Sequence, residues 1–246
     1  ISSDLTPFTS SAQADAAPQA AADSGSPTNS TVRLPTNIRV LLPDNVTVEY
    51  VSMETYVRRS LNDEWIASWG SLADGSGINS LKAGAVAIRS YAASYVRSPR
   101  GSNYDICATA SCQVYDTDTS TTTDIATSQT AGYVVLDSAN AIARSEYSAE
   151  NNSAGFPCGD GYAAPMGTCL YDPACAGQAR YGHGRGMCQW GTARWATGYK
   201  MAGRVSGDST PNGFPKQDWV WIVNHYYPTY KLVQARPFVV GDNVKS

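Results

Sequence analysis

Charge is scarce in this chain. Of its 246 residues only 16% are Asp, Glu, Lys or Arg, against about 25% in an average soluble protein. Basic residues are the rarer sign, 18 against 21 acidic, for a net charge of −3. No basic stripe can be assembled from this composition, which argues against a nucleic-acid partner. Long apolar runs are also missing. None approaches the ~20 residues of a membrane-spanning helix, so no membrane partner is expected. Histidine occurs only twice.

What is present fits a secreted globular protein. Hydrophobic residues make up 42%, enough for a packed core. Ser, Thr, Asn, Gly and Tyr carry the polar surface in place of charge. Six cysteines, an even number, suit an oxidising compartment. No leader precedes Ile1, and we expect one to have been removed. Residues 1–31 are rich in Ala, Ser, Pro and Thr and read as a flexible tail or linker. One domain is expected over 32–246. All six cysteines are disulfide candidates. Cys107 and Cys112 form the expected local pair, and Cys158, Cys169, Cys175 and Cys188 would form two more bridges. Spacing alone does not choose among their pairings.

The pattern along the chain is mixed. Residues 32–43 and 46–51 alternate apolar with polar around Pro43-Asp44-Asn45, a strand–turn–strand signal. Met53, Tyr56, Val57 and Leu61 then repeat at helical spacing, so a helix is expected over 53–64. Leu81, Ala85, Ile88, Ala92 and Tyr95 define a second helix, with Asn79 or Ser80 as its N-cap and Ser98-Pro99 as its stop. A short helix is expected over 124–130, and strands over 132–137 and 141–147. Residues 150–180 read as an irregular, disulfide-stapled loop. The segment 181–200 runs from a Gly-rich turn into a helix ending near Gly198. Trp219 to Tyr227 forms a last helix, stopped by Pro228. The fold class is α+β: a single mixed domain with antiparallel strands, several short helices and long stapled loops.

Four stretches occur in a telling order. They are Glu54-Thr55-Tyr56-Val57 through Glu64, followed by Leu81-Lys82-Ala83-Gly84-Ala85-Val86-Ala87-Ile88-Arg89-Ser90-Tyr91-Ala92; Cys107 to Tyr115; Gly182-His183-Gly184-Arg185-Gly186-Met187-Cys188-Gln189-Trp190-Gly191; and His225-Tyr226-Tyr227-Pro228. In order and spacing, across roughly residues 38–230, the chain resembles the SpoIID/LytB family of cell-wall lytic proteins. The resemblance implies a secreted or wall-associated monomer acting on a polysaccharide, in the first place peptidoglycan glycan strands. The reaction implied is lytic transglycosylation, in which one Glu protonates the glycosidic oxygen and then acts as base toward the muramic 6-hydroxyl.

Glu64 matches the family's catalytic Glu. A carboxyl beside an indole and a second carboxylate should also have a raised pKa, which suits a general acid. A water-using glycosidase would need a second carboxyl at defined separation. Glu150 and Asp63 are the candidates, with Asp105 and Glu146 also available. Glu150 is expected to border the cleft, where it would allow hydrolysis. Lys82, Arg89, Gln113, Tyr147, Ser148, His183, Gln189 and Trp190 fall at matched positions and are carried over as substrate-binding or cleft-lining residues. His225 is expected to be structural. Trp65-Ile66 replaces the family's usual Met-Pro, a change expected to reshape the cleft wall. Gly84 replaces the usual Gln and removes a polar sugar contact. Some relatives bind zinc through a Cys-His-Cys set; here Ser111 stands at the His position, so no zinc and no other cofactor is expected. Two alternatives follow from the same residues: a hydrolase of another aminosugar polysaccharide, or a non-catalytic wall-binding module that enhances an amidase.

Overall fold

The computed structural model describes residues 28–151 and 172–238. Cys158 and Cys169 lie outside the described residues.

The chain opens with strands β1 (Thr28–Pro35), β2 (Asn37–Leu41) and β3 (Val48–Ser52). The apolar alternation over 32–43 is therefore one pattern shared by two strands, divided at Thr36, that enter different sheets. β2 and β3 pair antiparallel, Ile38 opposite Val51 and Val40 opposite Glu49. Strand β1 begins at Thr28, inside the segment expected to be a tail.

Helix α1 (Met53–Glu64) has the expected bounds. The Ser52 hydroxyl accepts from the backbone N–H of Thr55 at 3.2 Å and satisfies an otherwise orphan donor. Met53, Tyr56, Val57 and Leu61 face inward. After a 3-10 turn at Ala67–Ser71 comes α2 (Ile78–Arg97), the central element. It is buried on most of its circumference, as its run of Ala, Val, Ile and Gly requires. Its N-cap is Gly77, which has no side chain to cap with, rather than Asn79 or Ser80. Asn79 instead donates to the Ser76 carbonyl and accepts from the Trp219 backbone N–H. That second bond links α2 to the last helix, a tertiary demand no local cap signal contains.

Around α2 pack α1, α3 (Thr121–Gln129), α4 (Gln189–Thr197) and α5 (Trp219–Tyr226). Helix α3 starts earlier than expected because Ser120 and Thr123 form a reciprocal capping box. Helix α4 stops where Gly198 takes a left-handed conformation, φ 70°. Strand β4 (Ile106–Cys107) runs parallel to β2 and completes the sheet β3-β2-β4. A second sheet has the order β1-β8-β5, with β5 (Tyr133–Leu136) and β8 (Lys231–Phe238). The strand expected over 141–147 is reduced to one bridge, Leu136 with Ile142, and a two-residue strand β6 (Tyr147–Ser148). β6 pairs parallel with β7 (Met187–Cys188). Among the described residues the whole is a mixed α+β unit, with strand pairs both parallel and antiparallel.

Candidate active site

Glu64 is the last residue of α1. Trp65 takes extended backbone angles, φ −112° and ψ 157°, and ends the helix there. The Glu64 side chain is half-buried. Its Oε1 accepts from the backbone N–H of Val114 at 2.6 Å. Gln189, first residue of α4, donates from Nε2 to the Glu64 carbonyl at 2.8 Å and more weakly to its Oε2 at 3.4 Å.

A third group, Tyr147, also favours the carboxylate, and its oxygen is held from behind. The buried Tyr56 hydroxyl donates to Gln113 Oε1 at 2.8 Å, which sets the orientation of that amide. Gln113 Nε2 then donates to the Tyr147 oxygen at 3.0 Å. With its oxygen held there, the Tyr147 hydroxyl favours the ionised form of the Glu64 carboxyl. Burial pushes the Tyr56 and Tyr147 phenols well above their ordinary range, so both stay protonated as donors. Glu64 itself is raised above the usual carboxylate value. Burial is the larger cause, and the Val114 N–H, Gln189 and Tyr147 pull the other way. Tyr147→Phe removes one of those opposing donors. A carbon-detected NMR titration should therefore show the Glu64 carboxyl of that variant losing its proton at higher pH than in the wild type. An unchanged midpoint would show that Tyr147 does not act on it.

The other carboxyls are engaged elsewhere. Asp63 is half-buried and accepts from the Asp116 backbone N–H at 2.8 Å. Burial, then the Asp116 charge, raises its pKa. Asp105 holds Arg39 and its backbone N–H, and Glu146 holds Arg185 at 2.7 Å. Glu150 departs from expectation. It does not border the cleft as a free carboxyl: it is fully buried and held by both terminal nitrogens of Arg194, at 2.8 and 3.0 Å.

The basic residues also differ from expectation. Arg89 is fully buried. It grips Glu54 with two nitrogens, at 2.6 and 2.9 Å, and donates to the Tyr133 carbonyl at 3.1 Å. It ties α1, α2 and β5 together and has no surface to offer a glycan. Lys82 is half-buried. Burial lowers its pKa, and its charged neighbour is Asp218, the N-cap of α5, rather than Glu64. Trp190 packs edge-on against Trp69, with ring centres 4.7 Å apart, as a core residue.

The Gly-rich turn is held on Ser148, whose hydroxyl donates to the Tyr181 carbonyl and accepts from the Gly184 N–H. Gly186 must be glycine: its φ is +68°, and a Cβ would strike the Glu146 carbonyl. His183 is half-buried, and its Nδ1 accepts from the Arg185 N–H at 3.0 Å, which leaves Nε2 to carry the proton in the neutral ring. His225 stacks on Trp221, with ring centres 4.7 Å apart, inside the core wall formed with Trp195.

Trp65 does not form the cleft wall. It is buried, donates from its indole to Thr192 Oγ1 at 3.2 Å and lies under Tyr147. A Cβ on Gly84 would sit 2.7 Å from that indole. The two departures at 65 and 84 are therefore one change: the glycine makes room for the ring. Gly84→Gln alone should cost about 1–3 kcal/mol through overpacking. Combined with Trp65→Met it should cost less than the sum of the two single changes. Denaturant unfolding of the three variants measures this, and strict additivity would refute the coupling.

Residues 44–136 match the family model SpoIID, described as stage II sporulation protein. This segment is similar to a SpoIID domain. No curated protein matches the chain. The SpoIID segment carries Glu64, Lys82, Arg89, Gln113 and the Val114 N–H, whereas Tyr147, Ser148, His183 and Gln189 come from beyond it. Within the segment, Cys107 and Cys112 are joined in a disulfide. Both sulfurs of the zinc set seen in some relatives are thus bonded to each other, and residue 111 is Ser. These residues do not fit a zinc ion. Sequence reasoning missed two contributors to the candidate site. One is the Val114 backbone N–H, which no side-chain motif can announce. The other is Tyr56, whose signal was a phenol on the apolar face of α1 in need of a partner.

Proposed function

We propose that this SpoIID protein cuts the glycan backbone of peptidoglycan by lytic transglycosylation, with Glu64 as both acid and base. The SpoIID family is associated with cell-wall lytic activity. The observation that carries the finer reading is the setting of Glu64. Burial favours its neutral form before reaction, and two donors, the Val114 N–H and Gln189, with the nearby Tyr147, favour the carboxylate afterwards.

The proton of Glu64 passes to the glycosidic oxygen as the C1–O bond breaks. The resulting carboxylate takes the proton of the muramic 6-hydroxyl while that oxygen closes on C1. The enzyme ends as it began, protonated, and the product carries a 1,6-anhydro ring. One carboxyl suffices because the nucleophile belongs to the substrate. Of the four candidate second carboxyls, Glu150, Asp105 and Glu146 are paired with arginines, which leaves Asp63 alone for a hydrolase and supports this route. No zinc or other cofactor enters it. The reading places the protein outside the cell or at the wall, as a monomer without nucleic-acid or membrane partners. Among the described residues no helix is long and apolar enough to cross a membrane.

The test is a digest of intact and peptide-stripped glycan strands with mass-resolved products. Anhydro ends are expected. Reducing ends alone would replace this reading with a hydrolase. Binding without turnover would leave a wall-binding enhancer.

A further inference from the structure

Behind the Gly-rich turn, outside the candidate site, two cysteines face each other. Cys175 closes a 3-10 turn, Pro173–Cys175, and Cys188 is the N-cap of α4. Both are fully buried, and their sulfurs lie 3.1 Å apart. We propose that Cys175 and Cys188 form a disulfide that clamps the start of α4, and with it Gln189, in place.

Three observations carry the pairing. First, each sulfur is held in position. Asp172 anchors the Cys175 turn by capping the Ala174 N–H and by accepting from Trp195 Nε1 and the Tyr226 hydroxyl. Cys188 Sγ accepts from the backbone N–H groups of Gly191 and Asn151. Second, α4 approaches Cys175 closely only because residue 191 is glycine: a Cβ there would sit 2.7 Å from the Cys175 sulfur. Third, the remaining step is short, since a disulfide needs the sulfurs closer by on the order of 1 Å.

The competing use of this cluster is a metal site, because Glu150, Cys175 and Cys188 bring ligand atoms within 4.8 Å of one another. Its chemistry is unfavourable. Both Glu150 oxygens are already bonded to Arg194. Burial also pushes both thiols up, away from the thiolates a metal requires. A neutral disulfide needs neither change.

The step requires a disulfide oxidant, such as oxidised glutathione or a thiol–disulfide oxidoreductase, acting before the core closes. One cysteine thiolate attacks the oxidant's disulfide and releases one thiol. The second cysteine thiolate attacks the mixed disulfide and releases the other. Two protein S–H groups become one S–S bond, their protons leave on the two released thiols, and the oxidant is reduced. Once formed, the bond is shielded from solvent thiols.

The full chain, folded in a glutathione redox buffer, alkylated without reduction and digested with trypsin and Asp-N, tests this. Cleavage at Arg144, Asp160, Asp172, Arg180, Arg185 and Arg194 places Cys158, Cys169, Cys175 and Cys188 on four different peptides. The expected result is a linked species joining 172–180 to 186–194, lost on dithiothreitol treatment. Protection of Cys107 and Cys112 in the same sample establishes that it is oxidised. Linkage of Cys175 or Cys188 to any other cysteine would overturn the proposal. So would alkylation of both, or zinc released with their unmasking by a chelator. The readout is independent of glycan cleavage, so it stands or falls apart from the proposed activity.

Discussion

Glu64→Gln should slow glycan cleavage by about 10²–10⁴-fold, the range over which positioned general acids act, and leave the fold intact. Gln is close to Glu in size, and its carbonyl oxygen can still accept from the Val114 N–H. What it lacks is the proton to give. Stability should move the opposite way to activity. Folding raises the Glu64 pKa, chiefly through burial, so the ionised carboxylate is the form the fold disfavours. That cost is absent below the unfolded-state pKa and grows as pH rises from there through the folded value. The variant should therefore melt no lower than the wild type at neutral pH, and any advantage should vanish in acid. Steady-state cleavage assays and melting curves at two pH values measure both. Full activity in the variant would remove Glu64 from the chemistry.

Arg194→Met should be the most destabilising single change, at about 3–5 kcal/mol. It strands Glu150 as a fully buried carboxylate with no cation. It also removes donors from the carbonyls of Lys200 and Met201, which Arg194 reaches at 2.8 and 3.1 Å. Replacing Glu150 by Leu in the same chain should recover part of the loss, because no charge then remains in the interior. The recovery should be incomplete, since the two carbonyls still lack their donor. Urea unfolding of the three chains at neutral pH measures this. A loss below 1 kcal/mol would mean that water reaches Glu150.

These two residues also show what could be read from the sequence. Helices α1 and α2 were legible because their apolar spacing is local and strong, and Glu64 because it ends a helix inside a recognisable motif. Glu150 was not legible. Its partner Arg194 lies on α4, and nothing near position 150 announces a buried ion pair. Arg89 sat at a matched position and among apolar neighbours. The neighbours were the better guide, since they meant burial against Glu54. Trp65 and Gly84 looked like separate departures because their contact runs between a helix end and the middle of the next helix. Strand β8 was missed altogether. Its Lys231-Leu232-Val233-Gln234-Ala235-Arg236 run lacks clean alternation, and its pairing depends on β1 and β5, both remote in sequence.

That last pairing has a consequence for how the molecule is made. β1 pairs parallel with β8, Thr28 opposite Val233 and Leu34 opposite Pro237. A growing chain presents β1 long before β8, its neighbour in the sheet, is synthesised. Local helices can form meanwhile, whereas this contact spans nearly the whole described sequence, the kind of contact that slows folding most. Until β8 arrives, the backbone groups of β1 that will pair with it remain open to another molecule. Nascent and truncated chains that stop before residue 231 therefore carry an open edge that the finished protein hides.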